Sequence, residues 1–171
     1  MAEQHIEVGI VVERRRIDSP WADHAWTPIA VLPEPPALAP WTELKREPDR
    51  TSFYLGPAVL TLHSVDTAHF RENFQAGRAK LWVAVRPTGI EPELELVGVT
   101  ADPFEGEDYC ENVGDIIEAL PMPAGIAEQV LAFFDAHHVE REFIKRKRQE
   151  HDPRKGGGPR PEPGMRRGDE S

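Results

Sequence analysis

The stretch IEVGIVVERRRIDSPWADHAWTPIAVLP, residues 6–33, decides the fold of this chain. Ile6, Val8, Ile10 and Val12 fall at every second position, which is the period of a strand. In TPIAVLP, residues 27–33, Ile29 and Val31 alternate with Ala30 and Leu32, so a second strand is expected. The segment between them carries Asp18-Ser19-Pro20, which is turn chemistry. Two strands joined at this length return antiparallel, as a hairpin with a long loop.

The same logic extends outward. PEPPALAP, residues 33–40, has four prolines and predicts an extended crossover over the surface, since proline cannot pair inside a sheet. Residues 41–46, 51–56 and 58–64 read as three further strands, with Glu47–Arg50 and Gly56-Pro57 as the turns. The period then changes. Phe70 and Phe74 stand four apart, Ser64 or Asp66 can cap, and Gly77 suits a helix end, so a short helix is expected near 66–75. KLWVAVRP, residues 80–87, is apolar on both faces and predicts a central strand. LELVGVTA at 94–101 predicts another. Asp102 and Pro103 fit the N-cap and first position of a short helix near 103–112. Gly114 ends it, and IIEAL reads as an added edge strand. Ile126, Val130, Phe133, Phe134 and His137 share one face of a helix over 124–138, which VEREF continues or frays. The expected architecture is α+β: a largely antiparallel sheet of about 5–7 strands with helices collected on one side.

The 171 residues divide by composition into one globular domain, 1–148, and a low-complexity tail, 149–171, expected to be disordered. Residues 1–140 carry a net charge of −14 and residues 141–171 a net +4. An acidic body disfavours phosphate backbones, so no specific nucleic acid is expected as a partner. The basic KRKR at 145–148 is expected to stay solvated. Cys110 is the single cysteine, so no intrachain disulfide can form. No apolar run approaches the ~20 residues that span a bilayer. The opening residues read as a strand rather than a signal peptide, and the cytoplasm is the expected location.

Chemistry is harder to find. The chain has no phosphate-binding glycine loop after a strand, no C-x-x-C and no H-E-x-x-H. His137 and His138 are adjacent on a helix and point about 100° apart, so one is expected to pack and the other to face water. His5, His24, His63 and His69 show no ligand spacing, so no metal or other cofactor is predicted. Asp108, Tyr109 and Glu111 give Cys110 no electropositive setting for a nucleophile. Two places remain as candidates for binding a partner. One is the loop with Trp21, Asp23, His24 and Trp26. Its tryptophans are expected to fold back as a plug on the core, Asp23 to bond its own loop backbone, and His24 to donate to Asp23 or Asp18. The other is the acidic segment 102–118, with Asp102, Glu105, Glu107, Asp108 and Tyr109, a docking face for a basic segment.

Three stretches together carry a resemblance: VGIVVERRRIDSPWADHAWTPIAVLP, DPFEGEDYCENVGDIIEALPMP and VLAFFDAHHVEREFIKRKRQ. The ordered combination VVERR, SPW-x-x-H-x-W, D-Y, PMP and HHVE-x-x-F-x-KRKR resembles an uncharacterised family of short proteobacterial proteins, a domain of unknown function. Members are often encoded beside molybdenum-dependent formate dehydrogenase and its maturation proteins. Some carry the label molybdopterin-guanine dinucleotide biosynthesis protein A. The resemblance implies a role in molybdoenzyme biogenesis, with a formate dehydrogenase subunit or maturation factor as partner. It supplies no catalytic residues. Guanylyl transfer would need a glycine-rich phosphate loop after the first strand, where this chain has Arg14-Arg15-Arg16. The expectation is therefore a non-catalytic accessory protein. The alternative is a small-molecule or nucleotide-binding enzyme of molybdenum cofactor metabolism.

Overall fold

In the computed structural model the long opening strand β1 (Glu3–Arg16) lies between two antiparallel partners, β2 (His24–Leu32) and β4 (Arg50–His63). The short β3 (Thr42–Arg46) pairs with the first part of β4, giving a sheet of order β2-β1-β4-β3. A second antiparallel sheet has the order β6-β5-β7, built from β5 (Lys80–Pro87), β6 (Leu94–Thr100) and β7 (Ile116–Pro121). The helices are α1 (Thr67–Gln75), preceded by a 3-10 turn at Ser64–Asp66, then α2 (Pro103–Tyr109) and α3 (Ala124–His137). The class is α+β. The seven strands divide between two sheets, with KLWVAVRP in the centre of the smaller one. The structure describes residues 1–139, of which Met1–His138 form one compact unit. The readings of VEREF, KRKR and the 149–171 tail lie outside the described residues, apart from Val139.

The two sheets enclose a common core. Ile6, Val8, Ile10 and Val12 of β1 share it with Leu81, Val83 and Val85 of β5, while β2 lies beside β7 and β4 beside β6. Phe70 of α1 and Ile126, Val130 and Phe133 of α3 close one end. Phe134 is half-buried and His137 exposed, so the apolar stripe of α3 is narrower than its sequence suggested. The helix ends with His138 bonded to Thr67 at 2.9 Å and stacked on Phe134, while His137 faces water.

Two sequence expectations are corrected by strand irregularities. Gly56-Pro57 is no turn: β4 runs through it as a single strand. Leu55 is an extra residue between the pairs Ile10–Gly56 and Val11–Tyr54, and Gly56 takes φ 141°, a conformation open to glycine. Pro57 is tolerated because β3 covers only residues 51–54, leaving that side of β4 without a partner strand for its missing N–H. Ile29 does not share a buried face with Val31. It is the extra residue between the pairs Val11–Ala30 and Val12–Pro28, and it turns outward. The proline-rich segment 33–40 does pass over the sheet as expected. A side chain at Gly9 would meet Tyr54 at 3.0 Å and Pro36 at 3.2 Å, so only glycine lets the crossover lie this close.

β1 therefore joins two ends of the unit. At its start, the Ala2 amide donates to the Ser64 hydroxyl and the three helices gather. At its finish, the Arg16 amide donates to the Asp49 carbonyl in the turn between β3 and β4.

Candidate functional site

The far end of β1 builds an aromatic cleft. β2 places His24 and Trp26 two residues apart, hence on one face. Both bind the same oxygen: His24 Nε2 lies 2.7 Å from Glu93 Oε2, and the Trp26 indole N–H donates to it at 3.0 Å. The His24 bond, more than that of Trp26, holds the Glu93 carboxyl below the usual carboxylate range, against the opposing effect of burial. Arg14, opposite Trp26 in the β1–β2 register, sets its guanidinium 5.7 Å from the Trp26 ring and 5.2 Å from Phe53. Trp41 completes the cluster edge-on to Trp26 at 5.5 Å. Arg14, Trp26, Trp41, Phe53, Pro92 and Glu93 line a cleft of about 350 Å³. A wider, open groove of about 660 Å³ adjoins it, lined by Arg14, Arg16, Asp23, His24, Arg46 and Arg50 among others.

The loop before β2 departs from its sequence reading. Trp26 plugs the core as expected and is 9% exposed, but Trp21 is 91% exposed at the loop tip. His24 reaches across to Glu93 rather than to Asp23 or Asp18. The local turn bond belongs to Ser19, whose hydroxyl accepts from the Trp21 amide at 3.2 Å. Asp23 contributes its backbone carbonyl, which accepts from the Ile17 amide, and its side chain lines the groove.

The acidic segment lies at the other end. Asp102 is 7% exposed and caps α2, its Oδ1 accepting from the Phe104 amide at 2.9 Å, with Pro103 first in the helix as the sequence predicts. Its second oxygen lies 2.9 Å from His69 Nδ1. Glu105 accepts from Thr100 at 3.0 Å and from the Tyr109 hydroxyl at 3.2 Å. Tyr109 packs on Gly98, where a Cβ would fall on its hydroxyl; burial first, and then Glu105, push that hydroxyl's pKa upward. Glu107 and Asp108 are exposed on the helix. Tyr109 and Glu105 share a shallow pocket with His5, His63 and Glu3 near the start of β1.

The structure thus unites Asp23, His24 and Trp26, and separately Asp102, Glu105 and Tyr109, but not the two groups. Tyr109 shares its pocket with His5, whereas His24 pairs with Arg16, eleven residues along β1. At 3.3 Å per residue that is roughly 35 Å. Sequence reasoning missed Glu93, Arg14, Trp41 and Phe53. Glu93 sits 67 residues from Trp26 in a turn that carries no local signal of its role.

Residues 7–147 match the family DUF3305, described as a protein of unknown function. The chain belongs to the DUF3305 family. The match spans both groups of candidate residues, so the cleft and the acidic helix lie within the DUF3305 region. No curated protein and no solved structure matches the chain. Among the described residues of this DUF3305 protein, no helix is long and apolar enough to cross a membrane.

Proposed function

We propose that this DUF3305 protein is a non-catalytic accessory protein that docks a protein partner in the cytoplasm, through the Trp21 loop and the groove beneath it. The reading rests on how the side chains are spent. The histidine, tyrosine and buried carboxylate that could run a reaction are divided between two ends of β1 and engaged in bonds that hold the fold. Trp21 instead offers a whole indole to solvent on a loop anchored at both ends, the form of an interface anchor. The acidic helix α2 presents Glu107 and Asp108 as a second, charge-steered contact for a basic segment.

The family resemblance directs the choice of partner toward a molybdenum-dependent formate dehydrogenase subunit or a maturation factor. The experiment is co-purification of the tagged protein from cells making that dehydrogenase, at low and high salt. The reading expects a dehydrogenase component to be retained by the native protein and lost with Trp21→Ala. Recovery of no such component in either salt would overturn it.

The aromatic cleft favours one other reading, a pocket for a ring-bearing ligand of molybdenum cofactor metabolism. A thermal-shift screen with GTP, molybdate, a pterin and Mg²⁺ separates the two. A ligand at a hundred times its Kd stabilises by about 2.7 kcal/mol.

A further inference from the structure

The geometry points to a divalent-cation site formed by Asp66, His69 and Asp102, where α1 meets α2. The ligand atoms of these three residues all lie within 4.8 Å of one another, the group of this kind found among the described residues. His69 Nδ1 is 2.9 Å from Asp102 Oδ2 and 3.9 Å from Asp66 Oδ1. Donors about 2.1 Å from one ion stand about 3.0 Å apart at a right angle and about 4.2 Å apart when opposed. Both separations are close to that range.

Asp66 supplies the observation that sets this cluster apart from a plain His–Asp bond. It ends the 3-10 turn Ser64–Asp66 that leads into α1, with φ −101° and ψ 7° rather than the extended backbone of an ordinary cap. Here its side chain makes no capping bond. It is directed toward His69 at a distance too long for a hydrogen bond and suited to two ligands of one ion. Asp102 accepts from the Phe104 amide with Oδ1, while its Oδ2 faces His69 Nδ1, in a bond that an ion held between the two would replace. The Phe104 ring lies 4.4 Å from the imidazole and fixes its orientation. Two carboxylates brought to one imidazole place like charges together, and a divalent ion would neutralise them.

Two oxygens and one imidazole nitrogen suit zinc or a neighbouring transition metal more than magnesium, which prefers oxygen alone. Three protein ligands leave coordination positions for water, because Asp66 and His69 are both half-exposed. The sequence holds half of the signal, Asp66 and His69 three apart on a helix. Asp102 is 33 residues further on, so only the fold completes the set.

The test is calorimetric titration of chelator-treated full-length protein with Zn²⁺, with Mg²⁺ in parallel. One Zn²⁺ should bind, and Asp66→Asn should weaken it at least tenfold. Asp66 makes no capping bond, so that variant should keep the native circular dichroism spectrum. Glu3→Gln, at the separate cluster with His5 and His63, should leave the affinity unchanged. Absence of Zn²⁺ binding, native affinity in Asp66→Asn, or a loss confined to Glu3→Gln would overturn the assignment.

Discussion

Glu93 carries more of the aromatic end than any other side chain. It accepts from Trp26 and holds His24 while Arg14 lies over the rings beside it. Its pKa is lowered in the folded protein, so its stabilising effect is complete above the ordinary carboxylate value of 4.5 and is lost as pH falls through the lower folded value. Glu93→Gln should therefore be less stable than the native protein by about 1 kcal/mol at pH 7, a modest figure because the site is a third exposed. Urea denaturation at pH 7 and pH 3 should show that gap closing in acid. A gap that widened in acid would refute the role given to the carboxylate. Gly106 makes a second residue-scale claim. It is buried in α2 where a Cβ would fall within the Trp82 ring. Glycine to alanine usually strengthens a helix by about 0.5–1 kcal/mol. Here Gly106→Ala should destabilise by about 1–3 kcal/mol because α2 must lift off β5, which thermal or urea denaturation would measure.

Among the elements, α1 is tied to the smaller sheet by the hydrogen bonds of Asn73. The Asn73 amide donates to the Lys80 carbonyl at 2.8 Å and the Ala101 carbonyl at 2.9 Å, and its oxygen accepts from the Lys80 amide at 2.9 Å. This fixes the start of β5 against the residue after β6. Asn73→Ala strands those buried groups and should cost about 3 kcal/mol, read from the urea midpoint. A loss under about 0.5 kcal/mol would show that water replaces the side chain. At this scale the sequence was most readable where periodicity was uninterrupted. Alternation in 6–13, apolar residues on both faces of 80–87 and Asp102-Pro103 each led to the element that forms. It was least readable where one inserted residue shifts the face. Ile29, Leu44 and Val97 each fall between successive cross-strand pairs, and each is an apolar side chain turned outward by that offset. Nothing local to these residues marks them, because a bulge is a property of two strands.

The whole unit is organised by the length of β1. Its two ends carry different chemistry: an aromatic and arginine-lined cleft at one, and the acidic helix with its histidines at the other. The sequence showed half of each. WADHAW marked the β2 side of the cleft, and the acids of 102–118 marked α2. Their partners, Glu93 at 67 residues and His69 at 33, come from distant segments that only the closed pair of sheets brings near. The separation also sets what the molecule can do. Asp23 and His24 cannot act on the same small substrate as Asp108 and Tyr109, whereas one protein partner can span both. Docking through an exposed indole is the central claim. Its most direct measurement is recovery of formate dehydrogenase components with the tagged protein, native against Trp21→Ala, at equal expression. The account predicts retention by the native protein and at least a tenfold loss in the variant. Equal recovery by both, or recovery by neither, would contradict it.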